Sequence, residues 1–481
     1  MFKNRRNFIA ISLIAAGSLL AGCLTASPEA LQSTTMKINR VVVEAPFEMP
    51  AITYPDFSGC KEFLITDFGA IKDDQQRTSL AISKAIDAAN KNGGGIVVVP
   101  QGEWLTGKIH FKSDVNLHLE EGAVLLFSDN PNDYLPAVHT TWEGMECLNY
   151  SPLVYAYECK NIAINGKGEL KAKMDVWETW FGRPPEHMEN LKRLYNMAAK
   201  DVPVEKRYMV KDAANLRPHF IQFNRSENIL LEGIKVTHSP FWVIHPYLCK
   251  NVVIRKVHVK AHGHNNDGVD VDMSQNMLIE DCIFDQGDDA IAVKSGRNQD
   301  SWRLNKPTRN VVVRNCLVKN GHQLLAVGSE LSGGIENVFL DRCTVADEAE
   351  MRHLLFIKTN ERRGGYVKNV HISHIKADKL SEGVVGIETD VLYQWRYLVP
   401  TYERRLTPIS DIYLSNIHAK EAKFVTRLLP QEELPVKNIT LKDVSVELVR
   451  GFTKETATGA QAVFEKKQRE VFKDSNVIKE R

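Results

Sequence analysis

The residues best suited to chemistry lie between Asn265 and Asp289. The run reads Asn265-Asn266-Asp267-Gly268-Val269-Asp270-Val271-Asp272 and, after a short apolar segment, Gly287-Asp288-Asp289-Ala290. An unpaired buried charge is costly, so carboxylates set among valines and isoleucines need a reason. Adjacent residues on a strand point to opposite faces, and a regular strand would bury one of Asp288 and Asp289. A bulge or bend there would aim both outward. Crowded carboxylates push each other's pKa values apart, which leaves a protonated acid beside ionised bases. Glycoside hydrolysis needs that pairing. A calcium site or a solvated, hydrogen-bonded turn would use the same residue types, and spacing alone does not separate these readings.

The elements that must position these residues are visible as a repeat. Asn228-Ile-Leu-Leu, Asn251-Val-Val-Ile, Asn276-Met-Leu-Ile, Asn310-Val-Val-Val, Asn337-Val-Phe-Leu, Asn369-Val-His-Ile and Asn438-Ile-Thr-Leu are variants of one phrase; Asp411-Ile-Tyr-Leu belongs with them and Asn161-Ile-Ala-Ile begins the series. From Asn228 the steps are 23, 25, 34, 27, 32, 42 and 27 residues. Repeats of this size mean a solenoid, a propeller or an array. Each phrase is a short β-branched run bounded by turn residues, hence a strand. Two further short strands follow each phrase, with no helix-period segment between, so equivalent strands must stack coil on coil. The expected fold is all-β, a right-handed parallel β-helix over residues 59–450, with variable loops on one side. The recurrent asparagine is expected at a bend, bonding backbone groups the turn leaves unpaired.

In that frame Asp267, Asp289, His322 and Lys358 stand 16, 13, 12 and 21 residues after Asn251, Asn276, Asn310 and Asn337. Similar offsets on successive coils place them near one face, a few strand spacings of about 4.8 Å apart. Three carboxylates, an imidazole and an ammonium then line one strip.

The open end of a β-helix needs a cap. Residues 74–90 carry Leu80, Ile82, Ala85, Ile86 and Ala89 at roughly helical period, and Gly93-Gly94-Gly95 stops the helix before Ile96-Val97-Val98-Val99-Pro100 enters the first coil. Residues 175–218 interrupt the rhythm with Trp177, Trp180, Phe181 and Tyr195 and a helical stretch at 186–200. They are expected to pack as a satellite hydrophobic cluster and to wall off one end of a cleft. Residues 451–481 are charge-rich and read as a terminal helix or tail.

Composition limits the partners. The formal charge is +1, and removing residues 1–22 takes away Lys3, Arg5 and Arg6 and no anion. A near-neutral chain argues against general nucleic-acid binding. Residues 1–22 are a basic segment followed by an apolar stretch too short to span a bilayer, and no second segment is long enough to do so. Leu20-Ala21-Gly22-Cys23 resembles the bacterial lipoprotein signal, which implies acylation of Cys23 and a membrane-anchored, exported protein. Residues 23–58 are expected to form a tether. Cys282, Cys316 and Cys343 each fall six residues after a phrase asparagine, where other coils carry Ile or Val. That column predicts buried thiols used for packing, while Cys60, Cys147, Cys159 and Cys249 stay undecided.

The order of four motifs makes a resemblance definite. Asn265-Asn266-Asp267, Gly287-Asp288-Asp289, Gly321-His322-Gln323 and Phe356-Ile357-Lys358 resemble the Asn-x-Asp, Gly-Asp-Asp, Gly-His-Gly and Arg-Ile-Lys motifs of glycoside hydrolase family 28, the polygalacturonases and their relatives. Residues 67–100 also resemble the N-terminal signature of pectin-degrading β-helix proteins. The resemblance implies an inverting hydrolase of galacturonic-acid linkages in pectin, without cofactor or metal, in which Asp288 is the general acid, Asp267 and Asp289 activate water, His322 sits by the scissile bond, and Asn265 and Lys358 bind substrate, Lys358 through a uronate carboxylate. Inverting pairs stand roughly 6.5–9.5 Å apart to admit that water. Two departures stand out. Gln323 replaces a glycine, and Phe356 replaces an arginine whose fork would clamp a carboxylate. Arg362 or Arg363 is expected to supply the missing cation. Exo-action is expected from the excursion at 175–218. Rhamnogalacturonan hydrolysis, a calcium-dependent pectate lyase and a non-catalytic glycan-binding β-helix are the competing readings.

Overall fold

The computed structural model describes residues 35–450 apart from 212, 431, 432 and 435, together with the strands Gln461–Glu465, Arg469–Lys473 and Val477–Glu480. The expected signal peptide and Cys23 lie outside the described residues.

The central coils are built from three short strands, the first two of which run together as one in Val367–Lys379, Ile409–Ala422 and Lys437–Val449. One coil runs Lys250–Arg255, His258–Ala261 and Val269–Asp272, and pairs in parallel with Gln275–Glu280, Ile283–Gln286 and Ile291–Lys294 of the next. The phrase asparagines set the first corner. Asn161, Asn228, Asn251, Asn276, Asn310, Asn337, Asn369, Asp411 and Asn438 all take left-handed backbone angles, with φ between 54° and 60°. Asn and Asp reach that region more readily than other residues with a Cβ. Their side chains do not serve the backbone, as expected above, but bond to each other. Asn276 Nδ2 donates to Asn251 Oδ1 at 3.1 Å, Asn310 to Asn276 at 3.1 Å and Asn337 to Asn310 at 3.0 Å, so a ladder of amides climbs the solenoid. A second left-handed residue follows five positions later (Lys256, Asp281, Asn315, Arg342, His374), and the next residue turns inward. That inward place is the Cys/Ile/Val column. All seven cysteines among the described residues are buried free thiols, including the four left undecided.

The third strands form a ten-stranded parallel sheet from Ile109–His110 to Phe424–Leu429. Val269, Ile291, Leu325, Leu355 and Val385 stack in one inward column of this sheet. They join the continuous core, where fully burying one such side chain is worth roughly 1.5–3 kcal/mol. The same register forms an outward column, in which Asp272, Lys294, Gly328 and Lys358 occupy equivalent places on four successive coils.

The cap is the helix Gln75–Lys91, whose first turn is closed by Asp74 accepting from the Arg77 N–H at 3.0 Å. Ile82, Ala85, Ile86 and Ala89 are buried, but Leu80 is 53% exposed and lies off the stripe. Three expectations are corrected. Residues 35–58 are not a tether: Lys37–Val41 and Ile52–Asp56 form an antiparallel hairpin, and Ile52 is buried against Leu230, Val253 and Leu278 of the outer face. Thr53 Oγ1 donates to Asn228 Oδ1 at 2.6 Å, which ties the hairpin to the amide ladder. Short helices do occur between phrases, at Asn298–Leu304 and Trp395–Leu398, and they fill the two longest steps. The C-terminal stretch carries strands rather than a helix, and Val477–Glu480 adds to Lys437–Val449.

Candidate active site

The outward face of the ten-stranded sheet carries the site, and the bends that lead into its strands aim the side chains. The strands begin at Val269, Ile291 and Gln323, so Asp267, Asp288, Asp289 and His322 all sit just before regular pairing starts. The coils are nonetheless locked together there. Gly268 N–H donates to Asp289 O at 2.9 Å and His322 N–H to Asp288 O at 2.8 Å. Gly268 has no room for a side chain, because a Cβ would approach Ala290 O to 2.5 Å. The bend is why Asp288 and Asp289, although adjacent, both line one cavity.

Asp267, Asp288, Asp289, His322, Asn265 and Lys358 all line this cavity, which holds about 290 Å³. His322 Nδ1 lies 3.0 Å from Asp288 Oδ1, and Arg352 Nη2 lies 3.2 Å from His322 Nε2. Arginine can only donate, so this chain corresponds to a neutral imidazole that accepts from Arg352 and donates to Asp288. Lys358 Nζ donates to Asp289 Oδ2 at 3.2 Å. Asn265 Oδ1 accepts from Arg217 Nη2 at 3.0 Å. Arg217 is itself held by Pro240 O and His264 O and lies over the rings of Phe181 and Phe241.

Sequence reasoning missed the group beneath these residues. Lys294 is buried, with Nζ 3.8 Å from Asp267 Oδ2, 3.5 Å from Asp270 Oδ1 and 3.3 Å from Glu330 Oε2, and it lies over the Trp242 ring. Glu330 also takes Arg297 Nη2 at 2.5 Å, and Arg297 reaches Glu143 Oε2 at 2.9 Å. Lys294 was findable: it holds the place of Asp272 one coil on. Glu143 and Glu330 come from loops whose approach no local pattern signals.

Arg362 and Arg363 do not enter the cavity, and the expectation that they supply a substrate cation is corrected. Arg362 donates to Trp395 O and Val399 O, both at 2.9 Å. Arg363 donates to Ser329 O at 2.6 Å and Asn298 Oδ1 at 2.7 Å. Both are buried and hold loops against the sheet. Phe356 is packed face to face on His353.

The electrostatics separate the three carboxyls. Burial, then repulsion from Asp270 and Asp288, raises Asp267 well above the usual carboxylate range. Burial likewise raises Asp289, with Lys358 pulling against it. Burial pushes Asp288 up too, but the His322 hydrogen bond and the Lys358 ammonium outweigh it and hold this carboxyl low. These opposite directions favour a proton on Asp267, Asp270 or Asp289 over one on Asp288. Asp288, Asp289 and His322 each offer an oxygen or nitrogen within 4.8 Å of the others, close enough to grip a cation. Lys358 already supplies a positive charge to that group, which weakens the calcium reading.

One end of the cavity is walled. Glu143 comes from the hairpin turn between Val138–Trp142 and Met145–Asn149, Arg183 from the excursion, and Trp395 from the Trp395–Leu398 helix. The excursion helix, Pro185–Ala199, puts Leu191, Leu194 and Tyr195 into a satellite hydrophobic cluster with Trp142, Phe241 and Trp395, as expected. Trp177 is fully buried in the main core. At the other end His322 and Arg352 also line a second, larger cavity of about 830 Å³.

Residues 205–464 match the profile of Glycosyl hydrolases family 28. The chain belongs to glycosyl hydrolases family 28. The family 28 chain is 34% identical to a hyperthermoactive exopolygalacturonase from Thermotoga maritima, with 88% of this chain and 96% of that one covered at a TM-score of 0.79. The polygalacturonase of Erwinia carotovora shares the fold, at 18% identity and a TM-score of 0.60. A Vitis vinifera protein named "Probable polygalacturonase" is 28% identical over 320 residues, 64% of this chain and 59% of that protein. The exo-poly-alpha-D-galacturonosidase of Dickeya chrysanthemi is 28% identical over 305 residues, 58% of this chain. The matched region spans 49% of the Dickeya protein, so the chain covers about half the length of that relative. These likenesses bear out the right-handed parallel β-helix expected from the repeat.

Proposed function

We propose that the protein is an inverting, exo-acting glycoside hydrolase that releases galacturonic acid from the ends of pectic chains. The observation that carries this reading is the convergence of Asp267, Asp288 and Asp289 with His322 and Lys358 in a cavity closed at one end. Similarity to exopolygalacturonases over most of the chain supports it.

In this mechanism Asp288 protonates the glycosidic oxygen, and Asp267 with Asp289 orients and deprotonates the attacking water. Substrate binding favours transfer of a proton from Asp267 or Asp289 to Asp288, which leaves an ionised base and a protonated acid. The His322 hydrogen bond and then the Lys358 ammonium hold Asp288 low; a uronate carboxylate docking on Lys358 offsets the second of these and adds a negative charge, which favours the protonated, acid form of Asp288. Lys294 stays beneath Asp267 and favours its ionised form as base. His322 orients the Asp288 carboxyl throughout. Anchorage of the exported protein through a lipid on Cys23 would bring this site to polymer at a membrane surface. Membrane partition of the wild type but not of Cys23→Ser is the corresponding test.

The decisive experiment is product analysis on unesterified oligogalacturonides and rhamnogalacturonan fragments, with the anomer followed by NMR. Galacturonic acid released with inverted configuration, unchanged by a chelator, is expected. Unsaturated products absorbing ultraviolet light, or retained configuration, would overturn the proposal. Mixed oligomers would overturn exo-action, and cleavage of rhamnogalacturonan alone would replace the substrate.

A further inference from the structure

Phe356 leaves this chain without an arginine at that position, and the structure places another arginine, Arg352, at the edge of the site beside His322. Arg352 is exposed and immediately precedes the strand His353–Lys358. It lies one imidazole away from the proposed acid, through Arg352 Nη2···His322 Nε2 at 3.2 Å and His322 Nδ1···Asp288 Oδ1 at 3.0 Å. Among the described residues it makes no ion pair with a carboxylate. The other nearby arginines are committed: Arg297 to Glu143 and Glu330, Arg217 and Arg362 chiefly to backbone carbonyls, and Arg363 to Ser329 and Asn298. Arg183 lines only the first, walled cavity.

Position then assigns the side. The first cavity, walled at one end by Glu143, Arg183 and Trp395, is assigned to the terminal sugar. The second adjoins it across His322 and Arg352, and is assigned to the group that accepts the acid's proton and leaves. Arg352 and His322 are shared by both cavities. The far rim of the second cavity carries Asp347, Glu348 and Glu350, with Lys379 drawn toward Glu421 at 3.9 Å. A uronate on that side finds an unpaired cation at Arg352 and repulsion beyond it.

Resting on the galacturonidase reading above, we propose that Arg352 binds the carboxylate of the sugar on the leaving side of the cleaved bond, so that the protein selects a free uronate there over a neutral sugar. A guanidinium fork suits a carboxylate in two-point contact, and its other edge still reaches His322. A neutral neighbour forfeits that contact.

The test compares three substrates: digalacturonate, its reducing-end methyl ester, and 4-nitrophenyl galacturonide, which has no uronate on the leaving side. A charge-assisted contact corresponds to about ten- to hundredfold in kcat/KM. The wild type should prefer digalacturonate over its ester by that factor. Arg352→Gln should abolish the preference, mainly through KM on digalacturonate, and lose at least tenfold less on the aryl glycoside. Arg352→Lys, which keeps the charge without the fork, should restore part of the preference and serves if the glutamine variant does not fold. Equal losses on all three substrates would mean that Arg352 acts only through His322, and would overturn the proposal. So would a wild type that cleaves acid and ester alike. A wild type that cleaves none of the three would overturn the galacturonidase reading itself.

Discussion

His353 stacks on Phe356 with ring centroids 4.7 Å apart and planes within 8° of parallel. Its Nδ1 lies 2.9 Å from Gln323 Oε1. One buried imidazole thus joins the two positions, Gln323 and Phe356, at which the motifs depart from the family pattern. Gly386 makes room for it, since a Cβ there would approach His353 Nε2 to 2.8 Å. The departures form one packed unit, so changing Phe356 alone to arginine should destabilise the protein without improving cleavage of internal bonds.

That imidazole also gives a pH signature. Burial, with Arg427, Arg352 and Lys358 nearby, pushes His353 down to about 3, against about 6.5 in an unfolded chain. The folded state binds fewer protons between these values, so the stabilisation is full above about pH 6.5 and is lost as pH falls toward 3. His353→Gln should lower stability at pH 7 by about 1 kcal/mol through the lost stack. Thermal unfolding at pH 7 and pH 4 should show that deficit shrinking at the lower pH, and an unchanged deficit would contradict the account.

Lys294 pulls the Asp267 carboxyl downward against burial and its acidic neighbours. Lys294→Met removes that pull, so Asp267 stays protonated to higher pH. The acid limb of the kcat/KM profile should therefore move to higher pH, with kcat falling even at the new optimum. A limb that moves to lower pH would show that Asp267 is not the base.

Loss of the proposed acid should depend on the leaving group. Asp288→Asn is expected to lower kcat on digalacturonate by about 10²–10⁴, the usual weight of general acid catalysis. On 4-nitrophenyl galacturonide, whose phenolate leaves with little protonation, the loss should be much smaller. Comparable losses on both substrates would remove Asp288 from the acid role.

The amide ladder predicts a stability series. Asn276 sits at φ 60° and bonds to Asn251 and from Asn310. Asn276→Ala loses both bonds and strains the backbone, a combined loss of about 2–4 kcal/mol. Asn276→Gly keeps the conformation accessible and should cost about half as much. Chemical denaturation of the two variants separates backbone strain from the ladder, and equal losses would assign everything to the side chain.

Local chemistry repeated in order was enough to recover the solenoid and its strip of site residues. An asparagine or aspartate that tolerates left-handed angles, a short apolar run and a Cys, Ile or Val six residues on recur in every coil from Asn228 to Asn438, and stacking turns equal phase into proximity. Asp267, Asp288, Asp289, His322 and Lys358 were legible for that reason. Only the tertiary structure decided what lies around the strip. Glu143, Arg183, Glu330 and Trp395 arrive on loops of unequal length, whose paths depend on packing against distant coils. Arg362 and Arg363 looked free as a motif, yet carbonyls at 395 and 399 and at Ser329 claim them. Residues 37–56 read as a polar tether because their apolar partners, Leu230, Val253 and Leu278, lie on three separate coils and become one surface only when the coils stack.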